Sequence, residues 1–196
     1  MIWPEYITQK KSYVTQYAAA QYTPISSSLP SPQISSLITN SSITNTSSFL
    51  TYQNKGALGM TMKYPVNWKT ISLDNKALVF VPPSEGDDFP ENLVIALFYI
   101  NSSVSTNQLS EQAIENYGKH YNDFFIIDLK PIFFQGEQAY VLSYEYTNPL
   151  AGKITAMDIG FKDRNKAYVI SYSAEQPEYH TYIPMIEKMI HSFHVI

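Results

Sequence analysis

The sequence predicts an α+β domain, an antiparallel sheet flanked by helices, behind a disordered Ser/Thr-rich arm. Three observations predict it. Sixteen Tyr and ten Phe stand against seven Gly, and large rings suit the pleated, half-buried surface of strands better than the seams of a helix bundle. Apolar runs of strand length follow one another with only QGE, NPLAG and KDRN between them, and turns that short join antiparallel neighbours. Ahead of these runs no charged residue stands between Ser12 and Asn54, and fifteen of the twenty-nine positions from 23 to 51 are Ser or Thr.

Residues 1–22 form an N-terminal segment in which 6–22 predict a marginal helix. Residues 23–58, with Pro24, Pro30 and Pro32, predict a disordered linker. Such a stretch has too little contiguous apolar surface to offset an ordering entropy of about 1–2 kcal/mol per residue. Asn40-Ser-Ser and Asn45-Thr-Ser in the linker, and Asn101-Ser-Ser in the domain, are acceptor sequons for N-glycosylation. Glycans would hydrate an arm that has no charge as far as Asn54, although a Ser/Thr/Asn-rich stretch also produces such triplets by composition alone.

The domain occupies 59–196. Met60, Met62 and Tyr64 share one face at period two, and 77–81 and 93–100 are apolar runs of strand length, the second central in the sheet. In 63-KYPVNW-68 the proline fixes φ, gives no ladder donor and holds Tyr64 extended, so the chain leaves the sheet there. Trp68 then returns as a large anchor over the sheet edge near an acidic loop. The segment 105-STNQ-108 is a capping box, and Leu109, Ala113, Tyr117 and Tyr121 follow on one helical stripe. Next come 124-FFIIDL-129 and 131-PIFFQ-135, then a meander of three long strands, 137–147, 153–161 and 166–173. Tyr140, Leu142, Tyr144 and Tyr146, and later Tyr168, Ile170 and Tyr172, give that meander a tyrosine-rich face. A helical stripe from Tyr179 to Phe193 continues to the end of the chain, with Pro184 predicting a kink or two pieces.

Composition excludes several classes. With a formal net charge of −4 and Arg164 as the only arginine there is no basic footprint for a phosphate backbone, so nucleic acid is not an expected partner. The absence of cysteine rules out disulfides, thiolate zinc sites and a cysteine nucleophile. The longest apolar run, 93-LVIALFYI-100, is far short of the ~20 residues of a membrane-spanning helix. The first residues lack the basic head and apolar stretch of a secretory signal.

Several segments in order resemble one known family: Tyr64-Pro65 with Trp68, the loop 85-EGDDFPENLVI-95, Gln135-Gly136-Glu137-Gln138-Ala139-Tyr140, Lys166-Ala167-Tyr168-Val169-Ile170 and the ending Met189-Ile190-His191-Ser192-Phe193. Residues 60–196 resemble the PsbP family, whose fold also includes a eukaryotic Ran-binding protein and many extracytoplasmic bacterial and archaeal proteins. The resemblance implies an α-β-α sandwich, with Tyr64, Pro65, Trp68, Gly136, Tyr140, Tyr168, Ser192 and Phe193 as fold markers, and it implies binding rather than catalysis. Photosynthetic members are extrinsic subunits that help retain calcium and chloride; this chain lacks their N-terminal segment, so only the fold and the habit of binding a partner carry over.

Glu85, Asp87, Asp88 and Glu91 cluster four carboxylates in seven residues, which makes calcium the candidate cation and a solvated turn the alternative. In the last helix Glu187, His191 and His194 stand at i, i+4 and i+7, with His180 seven residues before Glu187, and form a second candidate metal set, against a chance surface stripe. Glu145 and Asp158 are a carboxylate pair that could meet across strands. No G-x-S-x-G, H-E-x-x-H, Walker or dinucleotide motif is present, so no enzyme is expected. The reading is a non-catalytic module with no required cofactor, extracytoplasmic or at the cell surface and peripheral to a membrane if associated with one, binding a protein partner or small ligand. Its rival is a carrier with a lipid-like molecule in an aromatic pocket.

Overall fold

The computed structural model describes residues 48–73, 76–83, 89 and 91–196. The N-terminal segment 1–22, the linker as far as 47, and with it Asn40 and Asn45 lie outside the described residues. The linker expected to reach residue 58 gives way sooner to ordered chain. Phe49–Asn54 form strand β1, antiparallel to β2 (Met60–Pro65), with Leu50 opposite Tyr64. Its composition hid it: on an edge strand only Phe49 and Tyr52 pack against the core, while Leu50, Thr51 and Gln53 are exposed.

A seven-stranded antiparallel sheet forms the middle layer. It consists of β3 (Lys69–Leu73), β4 (Ala77–Val81), β5 (Asn92–Tyr99), β6 (Asn122–Phe134), β7 (Glu137–Asn148), β8 (Gly152–Asp163) and β9 (Lys166–Glu175) in the order β3-β4-β5-β9-β8-β7-β6. The run 93–100 does lie inside the sheet, between β4 and β9. The two segments expected around Pro131 are one thirteen-residue strand, β6, because an edge strand tolerates a proline whose missing donor faces outward.

Helix α1 (Thr106–His120) covers one face. Its capping box closes as the sequence predicts: Gln108 N donates to Ser105 Oγ at 3.2 Å and Ser105 N donates to Gln108 Oε1 at 2.8 Å. Leu109, Ala113, Tyr117 and Tyr121 are all buried under it. Helix α2 (Tyr179–His191) covers the other face together with a three-stranded sheet in which β10 (His194–Val195) flanks β2. Pro184 does not divide α2 into two pieces. It lies on the exposed side in the second turn, and the carbonyl it leaves without a helical donor belongs to His180, itself exposed, where water can reach it.

The helical stripe also stops short of the chain end. Ser192 caps α2, its hydroxyl donating to the Met189 carbonyl at 2.6 Å and accepting from Lys63 N at 2.8 Å. That bond turns the last residues into β10, paired with β2. The single tyrosine-rich face is likewise two faces. Register sets Tyr140 against Gly160 and Gly160 against Val169, so the rings of β7 point to α1 and those of Tyr168 and Tyr172 point to α2. Each face therefore has its own aromatic core, and a fully buried ring of this kind contributes about 1.5–3 kcal/mol relative to exposure.

Candidate functional site

The residues expected as fold markers have structural surroundings. Tyr64 leans on Phe80 with ring centroids 5.3 Å apart, Pro65 ends β2, and Trp68 N donates to the Pro65 carbonyl at 3.0 Å across the Val66-Asn67 turn. The Trp68 ring meets Tyr182 of α2 edge-on at 5.9 Å and is buried. Gly136 takes φ of +83° in the β6–β7 turn. The Tyr140 ring lies directly over Gly160, where a Cβ would strike it. Tyr168 donates its hydroxyl to the Leu58 carbonyl at 2.8 Å, and Phe193 packs among Phe134, Phe161 and Tyr168.

Of the acidic quartet, Glu85, Asp87 and Asp88 lie outside the described residues and Glu91 is buried. The histidine set is not assembled. His191 Nδ1 donates to the Glu187 backbone carbonyl at 2.7 Å, while His194 is on β10 and its Nδ1 donates to Gln135 Oε1 at 2.8 Å. His180 sits a full helix length away, against Tyr179. Among the described residues no group of three His, Cys, Asp or Glu comes together as a metal site. Asn101 is exposed in the β5–α1 turn, with Ser103 N and Oγ both 3.0 Å from its Oδ1.

Glu145 and Asp158 do not meet. Register places Glu145 opposite Thr155 and Asp158 opposite Leu142, on different faces. Asp158 instead lies wholly buried beneath α1, where Tyr117 donates a hydroxyl hydrogen bond to it at 2.5 Å and Tyr144 another at 3.4 Å. Tyr121 and Tyr146 stack beside them at 4.1 Å, and burial, then the Asp158 charge, push the Tyr146 hydroxyl above its ordinary range. Sequence reading missed this centre. Its signal was the acid in 153-KITAMDIGF-161, which falls on the same alternate positions as buried Ile154 and Ala156. With no exposed surface, Asp158 has no access to a substrate, so its role is to organise the core.

The surface that stands out is β6. Strands β8 and β9 are buried over most of their length and β7 on its α1 side, but none of the thirteen residues of β6 is buried and most are exposed. Phe133 is 78% exposed and Phe125 64%, in company with Ile126, Ile127 and Leu129. Gln135 and Gly136 hold φ of 55° and 83°, the turn that suits a two-residue hairpin, so Phe134 and Glu137 exchange backbone hydrogen bonds. Bonded and open pairs alternate along the ladder. Ile132, Lys130 and Asp128 therefore turn their backbone groups to β7, and Phe133, Pro131 and Leu129 turn theirs to the open edge.

A family model described as PsbP-like protein matches residues 27–195. The chain belongs to the PsbP-like family. Solved structures agree on the fold of this PsbP-like domain. It is similar to cyanobacterial PsbP from Synechocystis, at 17% identity and a TM-score of 0.59, covering 81% of this chain and 99% of that one. It is also similar to the Saccharomyces cerevisiae Ran-binding protein Mog1p, at 12% identity and 0.55, covering 76% and 95%. A third is LpqN of Mycobacterium tuberculosis, involved in cell envelope biogenesis, at 14% identity and 0.51, covering 68% and 81%. Among curated proteins nothing matches the sequence. Among the described residues no helix is long and apolar enough to cross a membrane.

Proposed function

We propose that the chain is a non-catalytic PsbP-like binding module that docks a protein partner along β6, outside the cytoplasm, with the Ser/Thr-rich arm as its tether. The observation that carries this reading is the long, apolar edge of β6, which has no neighbouring strand on its outer side among the described residues. Such an edge is a template for a further strand, and an exposed apolar patch costs solubility unless something covers it. Ran binding by the similarly folded Mog1p supports a protein as the bound class. The uncharged arm and the likeness to cyanobacterial PsbP support the location.

Aromatic packing weighs against the carrier reading. The rings that would have lined a cavity pack on one another instead, Tyr117 on Tyr144 at 4.9 Å and Phe161 on Tyr168 at 5.3 Å. Replacing Phe125 and Phe133 together by Ser tests the proposal on the full chain. The variant should keep the wild-type melting temperature at concentrations where the chain is monomeric and lose the protein recovered with the wild type from its native source. Equal recovery by both would overturn it.

A further inference from the structure

We infer that the partner of the β6 edge is a second copy of this chain, bound antiparallel about a two-fold axis through Leu129. The inference rests on the reading of β6 as the binding edge, and its support is charge and donor complementarity. Asp128 and Lys130 both project toward the α2 side of β6, are about half exposed or more, and sit within 2.9 Å of each other. Around an axis at Leu129, Asp128 of one copy falls opposite Lys130 of the other, twice by symmetry. In a closed C2 pairing one residue pair satisfies both halves, and opposite charges directly across an antiparallel ladder are favourable.

The backbone agrees with that axis. Leu129 directs its N–H and C=O outward, so the axial pair exchanges two hydrogen bonds. Pro131, the one outward position without a donor, falls beside the bulge at Ile127, where regular pairing is already interrupted. Counting the bulge as one step, Phe125 reaches Ile132 of the second copy on the α2 side, and Phe133 reaches Phe124 of the second copy on the α1 side.

The neighbouring registers fail on the same residues. An axis at Asp128 or Lys130 sets like charges face to face, and an axis at Pro131 opposes two residues that have no N–H to give. Among the described residues space is also sufficient. Helix α1 rests chiefly on β7 and β8, so at about 4.8 Å per strand the two α1 helices would stand about 19 Å apart, and Ile126, Leu129 and Phe133 of both copies lie in the gap between them.

Sedimentation velocity of the full chain, with charge reversal, tests the axis. Wild type should dimerise reversibly. Asp128→Lys alone and Lys130→Asp alone should each raise the dimer Kd about tenfold, and the double reversal D128K/K130D should restore it. Because the chain has no cysteine, Leu129→Cys should give a disulfide-linked dimer on mild oxidation, while Tyr99→Cys, equally exposed on β5, should not. A wild type that stays monomeric, or a double reversal as weak as the singles, overturns the second copy. If that monomer still loses its recovered protein on Phe125→Ser/Phe133→Ser, β6 remains the binding edge for a different partner; if it does not, both readings fall.

Discussion

Under α1 the sheet buries Asp158, Ser171, Ser173 and Asn92; under α2 the matching strand positions carry Tyr168, Ile170, Tyr172 and Ala174. Both faces use tyrosine, but they use its hydroxyl differently. On the α1 side Tyr117 and Tyr144 donate to a carboxylate, a side chain on a neighbouring strand. On the α2 side Tyr168 and Tyr172 donate to the backbone carbonyls of Leu58 and Tyr179, which ties the small sheet and the helix to the large sheet. A buried hydroxyl needs an acceptor on either face. The α1 face concentrates this demand at one ionisable centre, and the α2 face spreads it over backbone that the fold provides anyway.

Removing Trp68 attacks the apolar face and should have the largest effect. Trp68→Ala empties the corner between β2, β3 and Tyr182 of α2, and a buried tryptophan lost this way costs about 3–5 kcal/mol. Urea unfolding followed by far-UV circular dichroism should show the midpoint fall with an unchanged slope. An unshifted midpoint would mean that Trp68 is not part of the core.

Tyr117→Phe attacks the polar face without leaving a cavity. It removes a charge-assisted donor from a carboxylate with no access to water, at a cost of about 1.5–3 kcal/mol. Combined with Asp158→Asn the loss should fall well short of additive, since the two residues share one hydrogen bond. Additive losses would show that Tyr117 acts through packing alone.

Why one centre was legible and the other was not follows from what each residue shows to its neighbours in sequence. Helix α1 could be read in full because Ser105, Gln108 and the Leu109–Tyr121 stripe are all local signals. Trp68, Tyr140 and Phe193 were legible as core rings, and are buried, because a large ring on an alternating strand or helical stripe is a local signal. Asp158 was not, since its partners are 41 and 14 residues away and the acid alone resembles a surface charge. His194 was misplaced for a similar reason: the apolar period runs on past Ser192, and only a hydroxyl bonded to Met189 and Lys63, 129 residues away, ends the helix. The candidate edge was half legible. FFIIDL and PIFF announced strands, but which strand lies outermost is a property of sheet order, which no local pattern encodes.

Tyr172→Phe should cost less than Tyr117→Phe, about 0.5–1.5 kcal/mol, because its acceptor is a neutral carbonyl. The same face sets an alkaline limit. Burial, reinforced by the Asp163 charge, pushes the Tyr168 hydroxyl up to about 12, and burial pushes that of Tyr179 to about 12. The folded state holds these protons more tightly than the unfolded chain does, so their stabilisation is complete below pH ~10 and is lost as pH rises through about 12. Stability measured from pH 9 to 12 should decline above 10, and less steeply in Tyr168→Phe; equal slopes would place the loss elsewhere.

The smallest effect separates the interior faces from the edge. Phe133 projects on the α1 side yet is 78% exposed, so it belongs to neither core. Phe133→Ser should change the unfolding free energy by less than about 0.5 kcal/mol, the range of surface substitutions, at protein concentrations where the chain is monomeric. At concentrations where β6 is covered, the melting temperature of wild type should rise with concentration and that of Phe133→Ser should rise less, because only a bound edge adds mass-action stability. A Phe133→Ser loss as large as that of Tyr117→Phe at the lowest concentration would make Phe133 a core residue and remove the apolar edge from which β6 binding is argued.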